Sequence, residues 1–182
     1  MKTKFVRAVT EDRLILQGLL YEPDQPTEKI ILHIHSMAGN FYENNFLNFM
    51  ADTFTKNGWA FLTVNTRGHD MIADFPVEGE KEEYKRIGNA FEKFSECILD
   101  IKTWLDFAEQ QQFKNIVLQG HSLGCCKSVY YLAKTKDPRV QKLLLAAPPD
   151  MVTLTEEWPK HQQMLELSKK WVEEGKERDL IP

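Results

Sequence analysis

A serine lies at the centre of a strand-to-helix pattern in residues 115–132, NIVLQGHSLGCCKSVYYL. Gly120, Ser122 and Gly124 match G-x-S-x-G, a sharp turn that holds a serine hydroxyl clear of the backbone, where it can attack an electrophilic carbon. Glycine at the two outer positions lets the strand and the helix approach closely, which forces the serine into a strained, exposed conformation. The pattern therefore predicts that Ser122 is a nucleophile.

A nucleophilic serine needs two further kinds of group. One kind stabilises the negative charge on the attacked oxygen, and the helix predicted after Ser122 directs free N–H groups and the positive end of its dipole to that place. The other is a base that accepts the serine proton. His161 is the only histidine that follows Ser122 in the chain. The stabilising groups are therefore predictable from the pattern, whereas the base is not.

The elements that must position this serine follow from the pattern of apolar residues. Two strand-like runs near the N-terminus, separated by Glu11 and Asp12, predict a hairpin. Further short apolar runs bounded by Gly, Asn or Pro predict strands that are covered on both faces. These runs are residues 29–35, 59–65, 115–120 and 140–148. Helical patterns lie between them, so the sequence predicts an α/β fold with a mostly parallel sheet of six strands in the order 1-2-4-3-5-6, strand two being antiparallel.

Two helices are predicted before Ser122. The first begins at Asn40 as N-cap and ends at Gly58. Its predicted apolar face consists of Phe46, Phe49, Met50 and Phe54. The second follows from apolar residues spaced by four and three between Ile87 and Ala108, which predict a core-facing helix of about six turns. The acidic run at residues 78–86 is interpreted as a solvated connection into this helix.

Composition limits the classes of function. A chain of 182 residues with 42% apolar and 27% charged residues is typical of one globular domain. A net charge of −4, with both signs interleaved, gives no reason to expect nucleic acid or an anionic membrane surface as partner. No stretch approaches the roughly 18 apolar residues of a membrane span, and no signal peptide is evident, so we expect a cytoplasmic protein. Cys97, Cys125 and Cys126 are expected to be reduced.

The whole chain resembles the α/β-hydrolase superfamily in four places. These are the N-terminal hairpin, HIHSMAGN after the third predicted strand, NTRGHD after the fourth and GHSLG after the fifth. The chain is most similar to small carboxylesterase-type members, which carry His-Gly-x-x-Gly as the second motif. The resemblance implies a serine hydrolase that cleaves a small-molecule acyl ester through an acyl-enzyme, without cofactor or metal. Arg67 and Asp70 in the third motif are interpreted as pinning their loop by charge-assisted hydrogen bonds.

The same resemblance assigns an oxyanion hole. In the family, one amide comes from the residue after His-Gly and the other from the residue after the serine. In this sequence these residues are Met37 and Leu123, and Ser36 stands where the family usually has glycine. The predicted site therefore consists of the Ser122 hydroxyl and the amides of Met37 and Leu123.

The acid and the base are expected to be absent from this chain. In the family the acid follows strand seven and the histidine follows strand eight, whereas six strands are predicted here. We therefore expect residues 1–182 to form a single domain that lacks its last two strands. Asp150 lies where a few lipases of the superfamily carry the acid. His161 belongs to a helical, lid-like segment at residues 151–180 and is interpreted as a surface residue.

Two other functions stay open. The chain, as it stands, is alternatively a non-catalytic α/β-hydrolase-like module that binds a small apolar ligand or a partner. A metallohydrolase is a more distant alternative, since His33 and His35 share one face of a strand. A metal site needs three or four converging ligands, and no further ligand pattern is present. We therefore expect two histidines with satisfied hydrogen bonds at the edge of the sheet and no metal.

The sixth predicted strand carries a prediction about assembly. Without strands seven and eight it forms an apolar sheet edge, and an unpaired edge is a template for association with another chain. The sequence thus predicts a homodimer through this edge.

Overall fold

The computed structural model describes residues 1–79 and 83–176. Its strands are β1 Lys2–Val9, β2 Ile15–Glu22, β3 Lys29–Ile34, β4 Ala60–Val64, β5 Asp74–Pro76, β6 Tyr84–Arg86, β7 Asn115–His121 and β8 Val140–Ala146. Its α-helices are α1 Asn45–Lys56, α2 Cys97–Gln110, α3 Leu123–Thr135, α4 Met151–Glu156 and α5 His161–Glu173, and a short 3-10 helix at Phe94–Glu96 precedes α2.

The chain divides into two compact units, Met1–Pro148 and Pro149–Pro182. The first unit contains the strands and α1 to α3. The second contains α4 and α5, and no side chain of α5 is buried. Helices α4 and α5 lie within the predicted segment 151–180, of which residues 177–180 lie outside the described part; its assignment as a lid stays a prediction. Each described helix is too short or too polar to cross a lipid bilayer.

The main sheet has the order β1-β2-β4-β3-β7-β8. Strand β2 runs antiparallel to β1 and β4, whereas β4, β3, β7 and β8 are mutually parallel. Strands β7 and β8 are the fifth and sixth predicted strands, so the predicted order is confirmed. Strands β5 and β6 form a separate two-stranded ribbon that the sequence pattern did not predict.

The central strands are buried on both faces, which explains their continuous apolar runs. On one face, Leu32 and Leu118 lie in a core with α2, including the fully buried Trp104. On the other face, Phe61 and Val117 pack in a smaller cluster that includes α1 residues. The sheet is thus held from both sides, with its parallel strands ending at a common edge. The cysteines predicted to be reduced are all free.

Helix α1 differs from its prediction at its start and on its buried face. It begins at Asn45 rather than after Asn40. Asn40 instead accepts hydrogen bonds through its side chain from the backbone N–H groups of the next turn, so the chain makes one further turn before the helix starts. Phe46 and Phe49 of the predicted apolar face are exposed, whereas Met50 and Phe54 pack against the core. The buried positions of α1 are Leu47, Ala51 and Thr55.

The long helix predicted from Ile87 begins only at Cys97. Gly88 has a φ of 73°, a left-handed conformation that an α-helix cannot contain. Ile87 is nevertheless buried, which is why its spacing fits the apolar pattern. Residues 84–86 are exposed, in agreement with the interpretation of residues 78–86 as solvated, although they form the strand β6; residues 80–82 lie outside the described part.

Strand β8 is the edge of the main sheet. Leu144 and Leu145 are 43% and 44% exposed, in contrast to the buried strand β7 beside them. An edge strand is therefore present where the sequence predicted it, and association of two copies through it stays a prediction.

Candidate active site

Ser122 lies between β7, which ends at His121, and α3, which begins at Leu123. Its φ of 52° and ψ of −121° place it in a conformation that residues with a side chain adopt rarely. The backbone is held on both sides: the Ser122 N–H donates to the Ala146 carbonyl at 2.9 Å, and the Ser122 carbonyl accepts from the Cys125 N–H at 2.8 Å. The hydroxyl has no hydrogen-bond partner among the described residues. The strand-to-helix junction predicted at Ser122 is confirmed.

Two glycines make this turn sterically feasible. A Cβ atom at Gly120 would lie 2.4 Å from the Gly124 carbonyl oxygen. A Cβ atom at Gly124 would lie 2.3 Å from the Ile34 carbonyl oxygen and 2.5 Å from that of His35. The prediction that these glycines allow close approach is therefore confirmed. The contacts of Gly124 also place the first turn of α3 against the end of β3.

The two predicted oxyanion-hole amides lie on the segments that meet there. Leu123 is the first residue of α3, so its N–H has no acceptor within the helix. Met37 lies in a tight turn that the Gly39 N–H closes by donating to the Ser36 carbonyl at 3.0 Å. A Cβ atom at Gly39 would lie 2.8 Å from the Ser36 hydroxyl, so glycine at 39 accommodates serine at 36. Neither amide donates to another group in the described part of the chain.

His35 fastens this turn to the loop after β4. Its Nε2 accepts from the Thr66 N–H at 3.0 Å, and its Nδ1 lies 2.7 Å from the Ser36 carbonyl oxygen, to which it must donate. Burial lowers the pKa of His35 to about 3, so the ring is neutral near pH 7 and carries its proton on Nδ1. A backbone bridge between Ala38 and His69 joins the same two loops. The turn that carries Met37 is therefore fixed at two points.

His33 has a different environment from His35. Its Nδ1 lies 3.3 Å from the Gln119 side-chain oxygen, and its Nε2 is buried with no partner among the described residues. The expectation of satisfied hydrogen bonds is thus wrong for His33, and its strand is central in the sheet rather than at a lateral edge. In residues 1–79 and 83–176 no three His, Cys, Asp or Glu side chains are arranged to hold a metal ion.

The loop after β4 is pinned by Arg67, whose side chain is fully buried. Its guanidinium donates to Asp100 at 3.0 Å, to Asp12 at 3.0 Å and to Glu96 at 2.8 Å. Burial disfavours the positive charge, but the carboxylate of Asp100 more than offsets this and raises the pKa of Arg67 above its usual value. The role predicted for Arg67 is confirmed.

Asp70 fixes the far end of the same loop. Its carboxylate accepts from the Asn40 amide at 2.7 Å, from His69 Nδ1 at 3.0 Å and from the Tyr42 hydroxyl. Burial by itself raises the pKa of Asp70, but the hydrogen bonds from Tyr42 and Asn40 outweigh it and lower the pKa below its usual value. The role predicted for Asp70 is likewise confirmed.

Sequence reasoning missed an ion pair behind the serine turn. Lys127 of α3 is 1% exposed, and its Nζ lies 2.9 Å and 2.7 Å from the carboxylate oxygens of Glu92. Gly68 leaves room for that carboxylate, because a Cβ atom there would lie 2.2 Å from it. The only sign of this ion pair in the sequence was a lysine among the small and apolar residues of α3. The pair joins α3 to the segment that was wrongly predicted as helix.

Asp150 and His161 lie in the second unit, Pro149–Pro182. Asp150 is the N-cap of α4 and accepts from the N–H groups of Val152 and Thr153, both at 3.1 Å. His161 is the first residue of α5, and its ring forms no hydrogen bond with a described residue. Asp150 thus has a capping role in this structure.

Comparison with known proteins places the chain among relatives of known fold. A family model described as alpha/beta hydrolase fold matches residues 29–180, which is most of the chain. A search of curated proteins found no match. Among solved structures, the alpha/beta hydrolase GrgF from Penicillium sp. sh18 is similar, with a TM-score of 0.68 and 19% identity over 93% of this chain and 53% of that chain.

Two solved esterases are similar to the same degree. A thermostable carboxyl esterase from Bacillus coagulans, in complex with glycerol, has a TM-score of 0.69 and 16% identity over 100% of this chain and 54% of that chain. Est1E from Butyrivibrio proteoclasticus, with ferulic acid bound, has a TM-score of 0.64 and 20% identity over 83% of this chain and 56% of that chain. The chain thus spans little more than half the length of these structures. With the family model matched over most of its length and the sheet order described above, the chain belongs to the α/β-hydrolase fold family.

Proposed function

We propose that this protein is a serine hydrolase that cleaves carboxylic esters through an acyl-enzyme on Ser122. The observation that carries the proposal is the conformation of Ser122, which has a φ of 52° at the junction of β7 and α3 and a hydroxyl without partner among the described residues. A strained serine at this junction is expected where a hydroxyl must reach a substrate. The helix dipole of α3, and the amides of Met37 and Leu123 that donate to no described residue, then favour negative charge beside it.

The reaction proceeds in two displacements. The Ser122 Oγ attacks the ester carbonyl carbon, its proton passes to a base, and the carbonyl electron pair moves onto oxygen. The amides of Met37 and Leu123 donate to this oxyanion. When the intermediate collapses, the bond to the alcohol oxygen breaks, the alcohol takes the proton and the acyl group stays on Oγ. Attack by water repeats these steps, releasing the carboxylic acid and restoring the serine hydroxyl.

We further propose that the base and its acid lie outside the first unit. Among the described residues of Met1–Pro148, His35 is engaged by Thr66 and Ser36, and no histidine hydrogen-bonds to Ser122. An oxyanion hole and substrate binding alone retain roughly 10³ to 10⁴ over the uncatalysed rate. The 182-residue chain is therefore expected to turn over far below the median enzyme rate of about 10 s⁻¹.

Hydrolysis of p-nitrophenyl acetate, together with covalent labelling by a fluorophosphonate, tests the proposal. Ser122→Ala should remove both the turnover and the label, and mass spectrometry of a proteolytic digest should find the label on a peptide that contains Ser122. Ser95→Ala removes an exposed serine elsewhere in the chain and serves as the control, with both readouts unchanged. Undiminished turnover and labelling in Ser122→Ala would contradict the proposal.

A non-catalytic binding module is the second candidate. The observation that favours it is the absence of a histidine partner for the Ser122 hydroxyl in the described part of the chain. It predicts no turnover above that of Ser122→Ala and no labelling, with normal circular dichroism. A single labelling experiment therefore separates the two candidates.

A further inference from the structure

A buried ion pair lies about one helical turn beyond the start of α3. The side chains of Lys127 and Glu92 are 1% and 7% exposed, and the lysine Nζ lies 2.7 Å and 2.9 Å from the two carboxylate oxygens. Lys127 follows Leu123 by four residues, which is about 6 Å along the axis of α3. We call Lys127 and Glu92 the buried pair. It therefore lies close to the Leu123 amide that is proposed for the oxyanion hole.

The buried pair is poorly suited to a role in stability alone. Removing two charges from water offsets much of their attraction, and apolar side chains of similar volume often replace such a pair without loss of stability. Hydrogen bonds between two charges do have a defined length and direction, so a buried pair with satisfied hydrogen bonds favours one arrangement of the segments that it joins. Those segments therefore indicate its role.

Glu92 places one end of the buried pair against the loop after β4. Its carboxylate occupies the space that Gly68 leaves, because a Cβ atom at Gly68 would lie 2.2 Å from it. Gly68 precedes His69, whose backbone bridges to Ala38 in the turn that carries Met37. The glutamate is thus connected to the segment that carries one of the two proposed oxyanion-hole amides.

Lys127 places the other end of the buried pair on the face of α3 that meets β3. It shares this face with Gly124, three residues earlier, where a Cβ atom would lie 2.3 Å from the Ile34 carbonyl oxygen. The ammonium group also acts on His35, which fastens the turn that carries Met37. Burial, and after it the positive charge of Lys127, lowers the pKa of His35 to about 3. Both ends of the pair thus reach segments that hold this turn.

An oxyanion hole requires that its two donors fit one oxygen atom. Each donor must lie about 2.7–3.1 Å from the oxyanion. The Leu123 amide belongs to α3 and the Met37 amide to the turn after β3, so their spacing depends on how α3 is set against that turn. The contact at Gly124 fixes one point on this face of α3, and the buried pair fixes a second. Two fixed points on one face define the direction of a helix, whereas a single point does not.

We propose that the Lys127–Glu92 ion pair sets the direction in which α3 leaves the serine turn and thereby the spacing of the two oxyanion-hole amides. Lys127 and Glu92 are positioning residues, since they act through the amides of Leu123 and Met37. The inference rests on the proposed function, because it requires an ester bound at Ser122. A site without a general base depends on its oxyanion hole and on substrate binding, so an altered spacing should be visible directly in the residual turnover.

The test replaces the buried pair by apolar side chains in Lys127→Met/Glu92→Met, which leaves no charge unpaired and should keep the thermal stability of the unmodified chain. Its kcat for p-nitrophenyl acetate, corrected for the Ser122→Ala background, should fall roughly 10- to 100-fold, with KM within about twofold, because only a transition-state contact is lost. Labelling by a fluorophosphonate should slow by a similar factor. Asp52→Met/Lys56→Met removes an exposed ion pair of α1 and is the matched control, with both readouts unchanged.

Two further variants separate the position of the pair from its contribution to stability. Gly68→Ala brings a Cβ atom against the Glu92 carboxylate and displaces it from Lys127 while both charges are kept, so kcat should fall, again without a change in KM. Lys127→Glu/Glu92→Lys restores an ion pair of the same total length with its ends reversed. It should return kcat to within about threefold of the unmodified chain.

Unchanged kcat and labelling in Lys127→Met/Glu92→Met would overturn the inference while the proposed function stands. A reversed pair that is folded by circular dichroism but as slow as the double methionine variant would do the same, because the loss would then not depend on pairing. If the double methionine variant does not fold, Gly68→Ala takes its place, and unchanged kcat in it overturns the inference. Failure of the unmodified chain to label at Ser122 would overturn both, and that outcome is recognised before any variant is compared.

Discussion

Two loops at the carboxyl edge of the sheet differ in whether their polar groups form hydrogen bonds. In the loop after β4, the side chains of Arg67 and Asp70 form hydrogen bonds with residues of neighbouring segments. In the turn after β7, the Ser122 hydroxyl and the Leu123 amide have no partner among the described residues. Paired groups stabilise the fold, whereas unpaired groups at the surface add little to stability and are available to a ligand. The hydrogen-bonded groups after β4 therefore hold this edge together, whereas the groups after β7 are the ones that could react.

The largest expected effect comes from breaking the paired loop. Arg67→Met leaves the fully buried Asp100 carboxylate without its cation, which should lower the free energy of unfolding by about 3–5 kcal/mol. Arg86→Met is the matched control, because that arginine bonds to Asp74 on the surface, where solvent screens the pair, and the loss of stability should be much smaller. Urea denaturation followed by circular dichroism measures both. Equal losses in the two variants would contradict the distinction between the loops.

Acid should lower the stability of the fold through His33 of β3. The pKa of His33 is about 4 in the fold against 6.5 ordinarily, because burial disfavours the charged ring. Between these pH values the unfolded chain binds a proton that the folded chain does not, so stability falls as the pH falls from 6.5 to 4. The loss from this residue amounts to about 3 kcal/mol.

His33→Gln isolates this contribution, because His35 and all other groups still titrate. Denaturation at pH 7 and pH 4 should give a smaller acid-induced loss of stability in the variant than in the unmodified chain. Identical losses would mean that His33 does not resist protonation in the fold.

Adding a methyl group to the serine turn should have a moderate effect. Gly124→Ala places Cβ 2.3 Å from the Ile34 carbonyl oxygen, and such overpacking costs about 1–3 kcal/mol. Gly58→Ala is the matched control, because no atom lies within 4 Å of its Cβ position. Its φ of 74° should still cost about 1 kcal/mol. A smaller loss of thermal stability at Gly124 than at Gly58 would show that the close packing of the turn is not required.

Local patterns predicted the features that depend on neighbouring residues in the sequence. The strand alternation and the connections gave the sheet order, and G-x-S-x-G located the junction at Ser122. The resemblance to the hydrolases, not the spacing, named Met37 and Leu123. Each of these inferences needs only a short segment or a known motif.

Features that depend on distant residues were not predictable in this way. The apolar residues between Ile87 and Ala108 do have helical spacing, but Gly88 adopts a left-handed conformation, so the helix does not start there. Glu92 of this segment instead forms an ion pair with Lys127. A non-helical segment and a helix that are both buried against the same core can therefore show the same spacing of apolar residues. Charge pairing across 35 positions leaves no local pattern. The base that accepts the proton of Ser122 is likewise distant in the sequence and has no local pattern.

Removing the serine hydroxyl should barely affect stability. Because the Ser122 Oγ has no described partner, Ser122→Ala should change the free energy of unfolding by less than about 0.5 kcal/mol. The same change should remove the proposed turnover. Loss of several kcal/mol in a denaturation experiment would mean that the hydroxyl has a structural partner, and the contrast between the two loops would fail.

The smallest effect is expected at His161. A general base must come within hydrogen-bond reach of the hydroxyl whose proton it takes. His161 begins α5, its N–H donates to the Trp158 carbonyl at 2.8 Å, and its ring forms no hydrogen bond with a described residue. His161→Ala should therefore leave p-nitrophenyl acetate turnover within about twofold of the unmodified chain. If turnover instead proceeds at ordinary enzyme rates and His161→Ala abolishes it with the fold intact, then His161 is the base that takes the proton of Ser122.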